Sequence, residues 1–78
     1  MAESELEMID IWSDIGSTAG EIYRGFVVSA GPVHLEDILR KVKKDEIMVK
    51  MALGWLAREG KIKITRDSRK VFQFQILA

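Results

Sequence analysis

The sequence contains no cysteine, a single histidine and a single proline, and its apolar runs are all short. Without cysteine, neither a disulfide framework nor a thiolate metal site can form, and a reducing compartment is the natural expectation. A bilayer-spanning helix needs roughly 20 consecutive apolar residues, which the chain does not offer. The acidic segment Met1–Glu5 also differs from the basic start of a signal peptide. We therefore expect a soluble, cytoplasmic protein with no membrane contact.

Side chains suited to catalysis are equally scarce. The single histidine, His34, precedes a predicted helix, where a capping or exposed position is the simplest interpretation. A tetrahedral metal site would need carboxylates around this one imidazole, and a nucleophilic serine or lysine would lack an activating base. The glycine-rich stretch Gly16–Gly20 lacks the lysine of a phosphate-binding loop. We predict that the protein is not an enzyme and uses no cofactor, metal or small-molecule substrate.

Charge is balanced overall but divided between the two halves of the chain. The 78 residues include 12 basic and 12 acidic side chains. Residues 1–37 hold eight acids and one base, a net charge of −7, whereas residues 38–78 hold eleven bases and four acids, a net charge of +7. Helices whose charges match their dipoles explain part of this division. The remainder indicates a basic module joined to an acidic N-terminal half.

Hydrophobic periodicity predicts three helices. The first begins at Thr18, which forms a capping box with Glu21, and it ends before Gly31. Residues 15–17 are expected to separate this helix from an acidic arm, residues 1–14, which is either a frayed tail or a short amphipathic segment. The division predicts an N-terminal arm and a domain formed by the rest of the chain.

The second and third helices are joined by a tight turn. The second begins near Leu35, and the third covers about residues 46–59, with Asp45 as its N-cap and Gly60 as its stop. Alternating apolar and polar residues then predict a hairpin, with strands over 61–64 and 72–76.

This order of elements predicts an α+β winged helix in one domain, residues 15–78. The domain would contain a three-helix helix-turn-helix core, a short strand at Pro32–His34 and a C-terminal two-stranded β-wing. The polar turn of the wing is Asp67–Lys70. A chain of 78 residues buries only about 60% of its unfolded surface, so a second subunit is a natural source of extra burial.

Two sequence stretches carry a family resemblance. The stretch Val49–Ile62 resembles the third helix and the start of the wing in winged-helix proteins. Ala52–Glu59, together with Gly20–Tyr23, resembles a family of small stand-alone prokaryotic winged-helix domains of unknown function. The chain departs from the superfamily pattern in the tight turn, where Lys43 and Lys44 stand in place of a glycine that would adopt positive φ more easily.

The distribution of cations favours DNA. Helix-turn-helix proteins insert the third helix into the major groove, while the turn and the wing contact phosphates. The sequence places basic residues in the turn, on the third helix and on the wing, although a solvated charged face is an equally simple interpretation. The candidate phosphate contacts are Lys43, Lys44, Lys50, Arg58, Lys61, Lys63, Arg66, Arg69 and Lys70.

The third helix itself argues against base recognition. Its core stripe is predicted to be Val49, Ala52, Leu53 and Leu56, but the opposite side is also apolar. Base edges are read by hydrogen-bonding side chains, whereas exposed Met and Trp are typical of protein contacts. Either the hairpin or arm of the same chain covers this side, or another molecule does. The candidate interface residues are Ile47, Met48, Met51 and Trp55, with Leu6, Ile9 and Trp12 in the arm.

Two functions remain open on this sequence. The first is a homodimeric DNA-binding or transcription-regulatory module that contacts mainly the phosphates of double-stranded DNA. The alternative is a protein-interaction winged helix that does not read DNA, with the apolar side of its third helix covered by a partner or a second subunit. Phosphate binding weakens steeply with salt, and apolar association does not, so salt dependence separates the two.

Overall fold

The computed structural model describes residues 2–29 and 31–77, with side chains for residues 10–29 and 31–77. The three strands form one antiparallel sheet in the order β1-β3-β2. This arrangement confirms the predicted α+β fold, with three helices, a short strand and a C-terminal two-stranded wing. The elements are α1 (Ala2–Phe26), β1 (Val33–His34), α2 (Leu35–Lys41), α3 (Glu46–Arg58), β2 (Ile62–Arg66) and β3 (Phe72–Ile76).

The hydrophobic core lies between the three helices and the inner face of the sheet. The predicted core stripe of α3 is confirmed, since Val49, Ala52, Leu53 and Leu56 are all buried. The stripe packs mainly against α1, and the burial of these side chains supplies the main driving force for folding. The other buried apolar residues of this cluster are Ala19, Ile22, Phe26, Ile38, Val42, Ile62 and Phe74.

The predicted start of the first helix is wrong. The helix does not begin at Thr18, because α1 runs without interruption through Ile15, Gly16 and Ser17. Thr18 is 1% exposed and lies inside the helix, so it does not cap it. A glycine within a helix costs only about 1 kcal/mol relative to alanine. Burial of an isoleucine such as Ile15 contributes about 1.5–3 kcal/mol, which offsets that cost.

The turn between α2 and α3 avoids the conformation that would require glycine. The amide of Lys44 donates to the carbonyl of Val42 at 2.8 Å, which closes a γ-turn centred on Lys43. Among the described residues, Lys70 is the only non-glycine residue with positive φ, so neither turn lysine is strained. Asp45 is the N-cap residue, as predicted, although its carboxylate makes no capping hydrogen bond.

Gly60 ends α3 as predicted and directs the chain into the wing. Its φ of +71° lies in the left-handed region, which suits glycine. The amides of Gly60 and Lys61 donate to the carbonyls of Ala57 and Leu56, at 3.1 and 2.9 Å, which is the Schellman pattern. The wing strands then pair in antiparallel register from Ile62 opposite Ile76 to Arg66 opposite Phe72.

Within residues 2–29 and 31–77, no helix combines the length and the apolar composition needed to cross a membrane.

Candidate functional site

The exposed side of α3 is an apolar stripe. Ile47, Met51 and Trp55 follow one another at intervals of four residues and are 72%, 39% and 43% exposed. Met48 lies beside them and is half-buried. The stripe faces away from the core, as the sequence predicts, and none of its side chains offers the paired donors and acceptors that distinguish base pairs. Its role as a protein interface stays a prediction.

A second apolar surface lies near the N-terminal end of α1. Ile11 and Trp12 are exposed, within a run from Asp10 to Asp14 in which every side chain is exposed. Two other predicted interface residues, Leu6 and Ile9, lie outside the residues whose side chains the structure describes. Because Trp12 is 58% exposed, it is not packed against the α3 stripe of its own chain.

The structure separates the nine candidate phosphate contacts into groups. Lys43 and Lys44 lie in the turn before α3, where they line a shallow groove with Lys41. Arg69 and Lys70 lie in the turn at the tip of the wing, beside the N-terminal end of α2. Lys61 precedes β2, Lys63 lies on the polar outer face of that strand, and Arg66 is its last residue, close to the tip of the wing. Lys50 and Arg58 lie on α3.

Several of these cations already have partners. Lys50 Nζ lies 2.8 Å from Glu46, Arg69 lies 3.4 Å from Asp67, and Lys61 lies 4.0 Å from Glu59. Lys61 also lies over the ring of Tyr23, and Arg66 over the ring of Phe72. Exposed pairs of this kind are weak, so the paired cations can still contact an anion at modest cost.

The remaining cations are the better phosphate candidates. Among the side chains of residues 10–29 and 31–77, no carboxylate lies within 4 Å of Lys43, Lys44 or Lys70. The same holds for Arg58, Lys63 and Arg66, although the Arg66 guanidinium stacks on Phe72. Lys43 and Lys44 therefore lie before α3, in the turn. Lys63, Arg66 and Lys70 lie after α3, on the wing.

The wing tip is held together by the carboxylate of Asp67. Its Oδ1 accepts hydrogen bonds from the amides of Arg69 at 2.8 Å and Val71 at 3.0 Å. The hydrogen bond from the Val71 amide is the main reason why the pKa of Asp67 lies below its usual range, with smaller contributions from the amide and guanidinium of Arg69. Lys70 closes the turn with a φ of +65°.

A related arrangement holds the start of α2. The backbone amide of His34 donates to Asp37 Oδ2 at 3.2 Å, and Arg40 pairs with the other oxygen of that carboxylate. The His34 amide is the main cause of the lowered pKa of Asp37, followed by the Arg40 side chain. His34 thus occupies the cap position expected for it and is half-buried.

An apolar groove between α3 and the wing was not foreseen from the sequence. Its volume is about 470 Å³. Phe72 is 53% exposed and Ile64 is 39% exposed. Both do lie on the inner face of the sheet, but Gly54 has no side chain to fill the space opposite them. The lining residues are Leu35, Lys50, Leu53, Gly54, Ile64, Phe72 and Phe74.

Comparisons with known proteins support the fold and the resemblance noted from the sequence. The family model described as "Winged helix-turn-helix domain (DUF2582)" matches residues 8–75. An uncharacterized protein of Methanocaldococcus jannaschii, MJ1608, is 47% identical over 66 residues, which cover 81% of this chain and 91% of that protein. The solution NMR structure of protein BT2368 from Bacteroides thetaiotaomicron has a TM-score of 0.71 at 26% identity, covering 82% of this chain and 76% of that one.

Proposed function

Because the chain belongs to the winged helix-turn-helix domain family DUF2582, we propose that it binds duplex DNA as a homodimer in a transcription-regulatory role. Its contacts are mainly with phosphates. The proposal rests on one observation: cations without a described carboxylate partner lie on both sides of α3, in the turn and on the wing. Those are the two places where helix-turn-helix proteins hold the backbone.

The proposal assigns little base recognition to α3. The exposed stripe of Ile47, Met51 and Trp55 carries apolar side chains only, which cannot distinguish the base pairs by hydrogen bonds. Phosphate contacts position a protein on DNA without carrying sequence information directly. We therefore expect affinities that differ little between unrelated duplexes.

The proposal includes no chemistry. Winged-helix domains are typically non-catalytic modules, and we assign no reaction, cofactor or small-molecule substrate to this one. Within residues 2–29 and 31–77, no group of three or more His, Cys, Asp or Glu side chains is placed to hold a metal ion. We place the protein in the cytoplasm, since a chain without cysteine suits a reducing compartment.

Fluorescence anisotropy with two unrelated duplexes over a salt series tests the DNA proposal. Replacing both Lys43 and Lys44 with alanine is expected to weaken binding to both duplexes by the same factor. It should also reduce the slope of log K against log salt by roughly one per lost phosphate contact. Arg24→Ala is the control for charge alone, because Arg24 is exposed in the last turn of α1 and lies outside the proposed surface.

The results also decide between the two functions. If no duplex binds at about 50 mM salt, where phosphate contacts are strong, the DNA proposal is wrong. If Arg24→Ala has the same effect per charge as the turn variant, binding depends on net charge and not on this surface.

A second candidate is a protein-interaction domain that has no role on DNA. The apolar stripe of α3 specifically favours it, because exposed Met and Trp side chains are typical of protein contact surfaces. Association through this stripe would be nearly insensitive to salt, in contrast to the binding of phosphates.

A further inference from the structure

The apolar face of α1 continues beyond the core that it helps to form. Ile15, Ala19 and Ile22 are buried against the rest of the domain. Ile11 and Trp12 come one turn earlier on the same face and are 47% and 58% exposed. A helix of 25 residues is about 38 Å long. The molecule measures 46 Å along its longest axis but only 25 and 22 Å along the others.

Residues 10–14 of α1 therefore lack the packing that stabilises the helix from Ile15 onward. Isolated helices shorter than about 12–15 residues are marginal in water, and most helices in proteins depend on burial of an apolar face. Because Ile11 and Trp12 are large apolar side chains on such a segment, we expect another surface to cover them. No described part of the same chain does so, because Ile11 and Trp12 remain exposed.

The exposed stripe of α3 offers a surface of matching chemistry. Ile47, Met51 and Trp55 present apolar area that the chain itself leaves uncovered. A helix laid into an apolar surface of this kind is a recurrent mode of protein recognition.

The charges beside the two surfaces are of opposite sign. Asp10 and Asp14 flank Ile11 and Trp12 on the exposed part of α1. On α3 beside the apolar stripe, Lys50 is paired with Glu46, whereas Arg58 has no carboxylate within 4 Å among the side chains of residues 10–29 and 31–77. Attraction between Asp10 or Asp14 and the Arg58 guanidinium favours contact between these two surfaces, and the carboxylates oppose contact between two copies of the α1 surface.

We propose that α1 and α3 exchange contacts across the homodimer. The N-terminal half of α1 in each copy packs its Ile11 and Trp12 side chains against the Ile47, Met51 and Trp55 stripe of the other copy. A two-fold axis repeats the contact, so that both apolar surfaces of both copies are covered. This inference deepens the dimer part of the proposed function and rests on it, but it does not depend on DNA.

The available area suits a dimer of ordinary size. Fully exposed side chains of this kind present roughly 150–250 Å² each, so five that are about half exposed supply on the order of 500 Å² per copy. A standard interface buries about 800 Å² per partner. The charged and half-buried side chains around the two surfaces supply the remainder.

Sedimentation equilibrium on the full-length chain tests whether both surfaces take part. Trp12→Ser and Ile47→Ser each remove an exposed apolar side chain without changing net charge. We expect each to weaken dimerisation at least about tenfold. Val28→Ser is the matched control, because Val28 is 87% exposed but lies outside both surfaces. We expect it to leave the dimer unchanged, and circular dichroism checks that all three variants are folded.

A mixed dimer of isotope-labelled and unlabelled copies identifies which surfaces meet. The proposal predicts intermolecular NOEs between the Trp12 ring and the side chains of Ile47 and Met51. Intermolecular NOEs that join Trp12 only to Trp12, or Ile47 only to Ile47, would show a dimer with like surfaces paired and would overturn this inference alone. A native chain that sediments as a monomer at high micromolar concentration would overturn the dimer itself, while leaving DNA binding to its own test.

Discussion

The two sides of α3 carry similar side chains in different surroundings. On one side Val49, Ala52 and Leu56 are almost completely buried, while on the other Ile47 and Trp55 are 72% and 43% exposed. The domain covers only the first side. A helix that is apolar nearly all round is usually buried, and we therefore propose that another protein molecule covers the exposed side. This difference separates the side of α3 that stabilises the domain from the side that we propose to bind another molecule.

The largest expected difference between the sides is in the free energy of unfolding. Leu56→Ala removes a core side chain that is 2% exposed and should cost about 2–5 kcal/mol through lost burial and the cavity left behind. Ile47→Ala, on the exposed side, should cost less than about 0.5 kcal/mol in the monomer. Urea unfolding at low protein concentration measures both, and equal losses would show that the exposed side is packed within its own chain.

The next effect concerns how melting depends on protein concentration. If the exposed side is a dimer surface, the Tm of the native chain should rise with concentration, because association stabilises the folded state. Met51→Ser should reduce this rise, whereas Val28→Ser, a change at an exposed position outside both proposed surfaces, should leave it intact. If the Tm of the native chain did not change with protein concentration, the exposed side of α3 would not be a dimer surface.

A smaller effect is expected at the wing, where one residue takes part in the turn and in the proposed DNA contact. Lys70 has a φ of +65°, which costs an L-residue roughly 1–2 kcal/mol, so Lys70→Gly should gain up to about 1 kcal/mol of stability. Lys70→Ala removes the same charge but keeps the strained backbone. The two variants should therefore differ in thermal stability yet lose DNA affinity equally. Unequal losses of affinity would show that the conformation of the tip, and not its charge, determines binding.

The smallest expected effect is the response of the wing tip to acid. Because the Val71 amide lowers the pKa of Asp67 in the folded state, the carboxylate contributes stability at a pH above its unfolded pKa. That contribution is lost as the pH falls through the lowered pKa of the folded state. NMR titration should place the midpoint of the Val71 amide shift below the ordinary aspartate value, and Asp67→Asn should abolish the titration. A midpoint at or above the ordinary value would contradict the hydrogen bonding of the turn.

Much of the fold could be predicted because its signals are local. The spacing of Val49, Ala52, Leu53 and Leu56 identifies the buried side of α3, and Gly60 identifies its end by the need for positive φ. The same spacing placed Ile47, Met51 and Trp55 on the side of α3 opposite the core, and the structure shows that all three are exposed. The contact that would cover them involves another molecule, and a single sequence does not encode its identity in any local pattern.

The features missed from the sequence depend on packing over longer distances. Gly16 and Ser17 have low helix propensity, but burial of Ile15 and Ala19 on either side keeps α1 continuous. Phe72 lies on the inner face of the sheet and is nevertheless 53% exposed. Phe72 and Gly54 line the same groove, a relation between α3 and the wing that only the tertiary structure provides.

NMR titration of the labelled native chain with duplex DNA tests most directly whether the surfaces beside α3 bind DNA while its apolar stripe does not. Shifts that weaken as salt is added are expected at the amides of Lys43, Lys44 and Lys70, and they should be similar for unrelated duplexes. The amides of Ile47 and Met51 should stay nearly unchanged. The account would be contradicted if the largest shifts fell on Ile47 and Met51 and depended on the DNA sequence, because α3 would then lie in the major groove.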